Sequence, residues 1–319
     1  MNPCFAVECF LLLFPDSCPE NKHRALLQGE EMSTEEEKQG SIRILATLDR
    51  NYIPYFNVML FSLLESNSEE FFEVYLLHDS LCPSDMTDSI RILGDRGVLR
   101  LVGIREEELS EAPTTDRYPK EIYYRIFAAK YLPETLDRIL YLDPDLIVNK
   151  SIRELYDMPM GTAFFAAASH IGNILHRFNE LRLDMDEDMP YINSGVMLIN
   201  LRQLRKEQRC EEVFDYIRTH KGKLILPDQD IISGLYGNRI IPVDCYRYNM
   251  TERLFLFHRQ SGDRMDLDYV RRHAVIIHYC GRNKPWKNRY IGSLDVFYQE
   301  ACNRLEELLV GEPACENAE

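Results

Sequence analysis

The chain has no C-x-x-C pair, no long apolar run and no surplus of positive charge. Each absence removes a class of function. Without paired cysteine spacing, a thiolate zinc site has no obvious ligands. The nine cysteines, at 4, 9, 18, 82, 210, 245, 280, 302 and 315, are odd in number and irregular in spacing. That usage reads as reduced thiols in a cytoplasmic protein. Lysine and arginine number 37 against 52 acidic residues, for a formal net charge of −15. A surface of that sign argues against nucleic-acid or broad anionic-membrane binding, while leaving room for a local basic pocket.

No segment reaches the roughly 20 apolar residues that a membrane span needs. The run from Cys9 to Phe14 (CFLLLF) is short, and Glu8 stands where a signal peptide would carry basic residues. The next stretch, GEEMSTEEEKQGS, is polar and acidic, so residues 1–40 are expected to form a loosely ordered extension. Neither an internal repeat nor a low-complexity linker follows Ser41.

What remains is globular: 45% hydrophobic and 11% aromatic residues over 319 positions, enough for a substantial core. SIRILATLD reads as a strand that ends at Asp49. Ile53, Phe56, Met59, Leu60, Leu63 and Leu64 then recur at helical spacing. FEVYLLHD and VLRLVGI read as strands with a helix between them, residues 120–131 as a helix, and DRILYLD as a fourth strand. Strands alternating with helices predict a parallel α/β sheet, whose ligands bind at the carboxyl ends of the strands. Asp49 and Asp143 fall at such ends. The second half is mixed: TAFFAAAS, GVMLINL and AVIIHYCG read as strands, 201–220 as one long charged helix, and DQDIISGLYG as a short one. One domain over 41–310 is expected, with a nucleotide-binding half (41–150), an acceptor-side half (151–310) and an acidic tail (311–319).

The segment RILYLDPDLIV places Asp143 and Asp145 on either side of Pro144. Proline ends a central strand, and residues i and i+2 on an extended chain share a side. The two carboxylates then converge, at a cost that a hard divalent cation would remove. An ordinary Asp-Pro turn is the blander reading. Asp228, Gln229 and Asp230 form a second acidic group, which equally suits a helix N-terminus. Asn193, Ser194 and Gly195 read alone as a turn. His278 ends a β-branched run and is followed by Gly281, which permits close approach of a ligand, and by Lys284, a point charge suited to phosphate. Arg125 lies among apolar neighbours, where it either snorkels or serves an anionic ligand.

Taken in order, ILATLDRNY, YYRI, LYLDPD, NSGVMLINL, DQDIISGL and HYCGRNKPW resemble glycosyltransferase family 8 from about Arg43 to about Trp286. This group includes bacterial lipopolysaccharide galactosyl- and glucosyltransferases and, more distantly, glycogenin. The resemblance implies a GT-A fold, with a Rossmann-like nucleotide-binding half and a mostly parallel, mixed central sheet. It implies retaining transfer of glucose or galactose from a UDP-sugar to a hydroxyl acceptor, a saccharide of a cell-surface glycan. Asp143, Asp145 and His278 match the ligands of Mn²⁺, with Mg²⁺ the alternative. Asp49, Asn51 and Tyr52 match the uridine site. Arg125, Gly281 and Lys284 match residues that hold sugar or diphosphate, and Asn193 with Ser194 falls where the donor sugar is lined. Asp228 and Gln229 match residues lining that sugar, with Gln229 nearest the anomeric carbon. An amide is a poor nucleophile, so front-face attack is expected, with Asp228 or Asp230 as the lesser, covalent option.

Two departures stand out. The tail RLEELLVGEPACENAE is acidic and ill suited to anionic lipid, so peripheral membrane contact gains no support from it. Arg50 adds a cation beside the uridine residues without an evident role. The competing readings are an inactive UDP-sugar-binding module and a phosphoryl-transfer hydrolase that also uses D-x-D at a strand end. The second lacks its usual continuation, because Leu146 and Ile147 follow Asp145.

Overall fold

Alternation along three central strands assigns side chains to two separate cores. The computed structural model describes residues 40–104, 121–170, 173–261 and 265–310. The expected N-terminal extension, the start of the helix at residue 120 and the acidic tail lie outside these described residues. In chain order the strands are β1 (Ile42–Thr47), β2 (Phe72–His78), β3 (Gly97–Gly103), β4 (Ile139–Leu142), β5 (Leu146–Val148), β6 (Phe165–Ala168), β7 (Val196–Ile199), β8 (Ile240–Val243) and β9 (Ile276–His278). Ile44, Leu140, Leu142, Val196 and Leu198 enter one core. Leu45, Ile139, Tyr141, Met197 and Ile199 enter the other. Successive strand residues point to opposite faces, so burial of both faces produces this division.

The main sheet has seven strands in the order β3-β2-β1-β4-β7-β6-β8. Among the described strands of this sheet, β7 alone runs antiparallel to its neighbours. The sheet is therefore mixed and mostly parallel, and the fold is GT-A. A separate two-stranded ribbon pairs β5 with β9, antiparallel, with Leu146 opposite His278. Helix Ile53–Glu65 covers the first core with Phe56, Met59, Leu60, Leu63 and Leu64, all buried as the sequence periodicity predicts.

Several elements differ from expectation, each for a physical reason. The first strand stops at Thr47, and Asp49 instead caps a short 3₁₀ turn by accepting from the amides of Asn51 and Tyr52. The helix expected over 120–131 is two pieces, Glu121–Tyr124 and Ala128–Tyr131, with Arg125 in the turn between them. The long charged helix over 201–220 is broken into Leu201–Glu207 and Cys210–His220. At the break, the Gln208 side chain donates to the Ile126 carbonyl, 3.0 Å away, a tertiary bond that local propensity cannot anticipate. Strands β5 and β8 and helix Asn173–Leu183 were not foreseen. Pro242 lies in β8 and is tolerated there because β8 is an edge strand. No helix among the described residues is long and apolar enough to cross a membrane.

Candidate active site

Asp143, Pro144 and Asp145 occupy the gap between the end of β4 and the start of β5. Proline breaks the ladder at that point, and the chain passes from the main sheet into the ribbon. The ribbon's other strand ends on His278. Its Nε2 lies 3.1 Å from Asp145 Oδ1 and 3.7 Å from Asp143 Oδ2. One ligand atom from each of the three residues lies within 4.8 Å of the others. Around an octahedral cation with bonds near 2.1 Å, neighbouring ligands sit about 3 Å apart and opposite ligands about 4 Å. Two carboxylates and an imidazole with these separations fit a divalent metal ion.

Asp145 is buried, and its second oxygen is contacted by the Lys284 ammonium, which also donates to the Tyr279 carbonyl at 2.9 Å. Burial alone would raise the Asp145 pKa. Lys284 and His278 outweigh it and hold the carboxyl well below the usual range. The acid expected to be expensive in a strand-like run is therefore kept ionised, chiefly by the buried Lys284 ammonium.

Asp143 is supported from the other side. Arg125 Nη1 lies 3.0 Å from Asp143 Oδ1 and 3.2 Å from Asp228 Oδ2. The guanidinium stacks 4.2 Å above the Tyr141 ring, and the Tyr141 hydroxyl donates to Asp143 at 2.7 Å. Arg125 is buried, so it does not snorkel. Burial by itself would weaken its charge; Asp143, Tyr141 and Asp228 reverse that and keep it protonated. Ser194 completes the link by donating to Asp228 at 2.7 Å. Burial raises the Asp228 carboxyl, and Arg125 and Ser194 restrain the rise.

At Gly195 the backbone passes close against His278 and Asp143. A Cβ there would lie 2.3 Å from His278 Cε1 and 2.5 Å from Asp143 Oδ2. No side chain fits. The glycine of NSGVMLIN is thus required by close approach, beyond the turn that the sequence suggested.

The family profile for Glycosyl transferase family 8 matches residues 43–289, a span that contains every residue of this cluster. The chain belongs to glycosyltransferase family 8. It is 29% identical over 245 residues to a lipopolysaccharide 1,2-glucosyltransferase of Escherichia coli, covering 75% of this chain and 71% of that protein. It is 24% identical over 259 residues to general stress protein A of Bacillus subtilis (strain 168), covering 79% and 89%. Among solved structures, the galactosyltransferase LgtC, in complex with donor and acceptor sugar analogues, superposes with a TM-score of 0.72 at 21% identity. That superposition covers 86% of this chain and 98% of LgtC. Family 8 membership also removes the phosphoryl-transfer reading of the D-x-D segment.

The remaining expected residues of this family 8 enzyme divide by their surroundings. Asp228, Gln229 and Asp230 open helix Pro227–Tyr236, as acidic residues at a helix N-terminus do. Asp230 is completely buried. Arg182 reaches both of its oxygens, at 2.7 and 2.8 Å, and the Tyr191 hydroxyl and the amides of Ile225 and Leu226 also donate to it. Tyr52 is half-buried, with Lys284 among the charges acting on it, and packs edge-on against Tyr55 and Trp286 at 5.6 and 6.4 Å. Tyr55 and Trp286 stack face to face at 3.7 Å, a pairing that the sequence did not suggest. Asn51 is exposed, and Asp49 is occupied in capping. Gly281 adopts a φ of 85°, which favours glycine, and is open on its Cβ side. The residue most clearly missed is Asn249, a fully buried amide 2.9 Å from His278 Nδ1. A lone asparagine ahead of an unassigned helix carries no sequence signal.

Proposed function

We propose that the chain is a metal-dependent, retaining hexosyltransferase that moves glucose or galactose from a UDP-sugar to a hydroxyl of a cell-surface saccharide. The observation that carries this reading is the convergence of Asp143, Asp145 and His278 beside Lys284. When bound to these three residues, a divalent cation, Mn²⁺ by ligand type with Mg²⁺ the alternative, supplies Lewis-acid charge for the donor diphosphate. Lys284 adds a second positive charge toward the leaving phosphate. Tyr52, with Asp49 and Asn51 on the adjoining turn, receives the uridine, and Gly281 leaves space for the phosphates.

Asn193, Ser194, Asp228 and Gln229 line the donor sugar in this reading. Arg125 acts by fixing Asp143 and Asp228 at a set separation. Gln229 lies next to the anomeric carbon and offers only an amide, so attack comes from the donor's leaving-group face, assisted by the departing phosphate. Asp230 belongs to the scaffold, since five donor atoms already claim its two oxygens. The names of the E. coli relatives support a lipopolysaccharide-type acceptor. The described cysteines, 82, 210, 245, 280 and 302, are free, which suits a reducing cytoplasm.

The test is a panel of UDP-sugars incubated with Mn²⁺ and no acceptor, since slow donor hydrolysis needs none. Release of UDP from UDP-glucose or UDP-galactose, lost in EDTA, is the expected result. No release from any UDP-sugar, with or without saccharide acceptors, would sink the proposed activity. Full turnover in EDTA would sink its metal dependence.

A further inference from the structure

His278 is backed by a hydrogen-bonded relay whose direction can be worked out from one backbone amide. The Gly195 N–H donates to Asn193 Oδ1 at 3.2 Å. A peptide N–H can only donate, so the Asn193 atom there is oxygen. That oxygen also faces an atom of the Asn249 amide at 2.9 Å, which must therefore be the donor Nδ2. Asn249 consequently turns Oδ1 toward His278 Nδ1, 2.9 Å away. An amide oxygen only accepts, so Nδ1 carries the hydrogen. In a neutral imidazole the lone pair is then on Nε2, the nitrogen that faces Asp143 and Asp145.

Burial makes this assignment binding. Asn249 is 0% exposed and His278 2% exposed, so water cannot supply an alternative partner. The adjoining backbone adds rigidity, because the His278 N–H donates to the Met250 carbonyl at 2.7 Å. With Nδ1–H committed to Asn249, only a positive charge, a proton or a metal ion, can sit favourably between Nε2 and the Asp145 carboxylate.

We infer that Asn249 is a positioning residue for the metal centre: it fixes the tautomer and ring orientation of His278, and is itself fixed through Asn193 by the Gly195 amide. The inference rests on reading Asp143, Asp145 and His278 as a divalent-cation site. It also restricts Asn193. Both lone pairs of its Oδ1 are used inside the relay, so toward a donor sugar Asn193 can donate through Nδ2 but cannot accept. Partners that orient a metal-bound histidine typically change metal affinity by about 10–100-fold when removed.

The experiment measures Mn²⁺ affinity by the electron paramagnetic resonance signal of free Mn²⁺, without donor or acceptor. Wild type, Asn249→Ala, Asn249→Asp and Asp145→Asn are compared, with thermal melts to check folding. The tautomer of His278 is read independently by ¹⁵N chemical shifts in the metal-free wild type, at a pH where the ring is neutral. The expected result is roughly 10–100-fold weaker binding for Asn249→Ala. Asn249→Asp, which keeps an acceptor for Nδ1–H, binds more tightly than the alanine variant, and the wild-type ring is protonated on Nδ1. Loss of binding in Asp145→Asn together with wild-type affinity in Asn249→Ala overturns the positioning role and leaves the metal site standing. Unchanged affinity in Asp145→Asn overturns the metal site itself. An Nε2–H tautomer in the wild type overturns the relay even if Asn249→Ala fails to fold.

Discussion

Arg125 meets Asp143 across 3.0 Å from a turn between two short helices, and the same guanidinium nitrogen reaches Asp228. One buried cation therefore spaces a residue of the D-x-D segment from a residue of the DQD helix. Removing it leaves a buried Asp228 and a half-buried Asp143 without their shared cation. Arg125→Ala is expected to cost about 3–5 kcal/mol of stability, measured by urea unfolding at neutral pH. A loss below about 1 kcal/mol, the level of an exposed pair, would show that the cation is dispensable.

Asp145→Asn keeps the shape of the side chain and removes its charge. UDP-hexose hydrolysis should fall by at least about 10²-fold, and the melting temperature should fall as well, because the buried Lys284 ammonium keeps a hydrogen-bond partner but loses its charge partner. A near-normal kcat would refute the metal role.

Gly195→Ala places a methyl group where His278 and Asp143 already stand. Overpacking of this kind costs about 1–3 kcal/mol, and the displaced ligands should weaken Mn²⁺ binding by at least about tenfold. Calorimetry against Mn²⁺ on the folded variant checks this, and wild-type affinity would contradict the close approach.

Lys284→Ala should lower UDP affinity by about tenfold, as expected for loss of one charge-assisted contact. Calorimetric titration with UDP and Mn²⁺ measures it. An unchanged affinity would count against placing Lys284 at the phosphates.

Asp230 tests the choice between front-face attack and a covalent route. Rapid quench followed by peptide mass spectrometry should find no hexosyl adduct on Asp230. Asp230→Asn should show its main effect in stability, with a loss of about 3 kcal/mol from the broken Arg182 pair. A hexosylated Asp230 peptide would reverse this assignment.

The candidate ligands Asp143, Asp145 and His278 were legible in the sequence because they adjoin short continuous apolar runs, as at Ile139–Leu142 and Ile276–His278. It carried their supports poorly. Arg182 lies 48 residues from Asp230 and Asn249 lies 29 from His278, so no local pattern couples them. Arg125 looked like part of a helix because its neighbours have helical spacing; the helix opens where the arginine turns toward two acids. Strand β5 is only three residues long. Its existence depends on β9 far along the chain, and pairing at that distance leaves no trace in periodicity.

The ribbon that seats Asp145 beside His278 has a consequence for biosynthesis. Its two candidate ligands are separated by 133 residues, and the histidine lies on the last of the described strands. A chain still emerging from the ribosome holds both acids of the D-x-D segment long before it holds their third partner. On the proposed mechanism, the candidate cation site is therefore incomplete, and donor chemistry absent, until β9 has been made and has paired with β5.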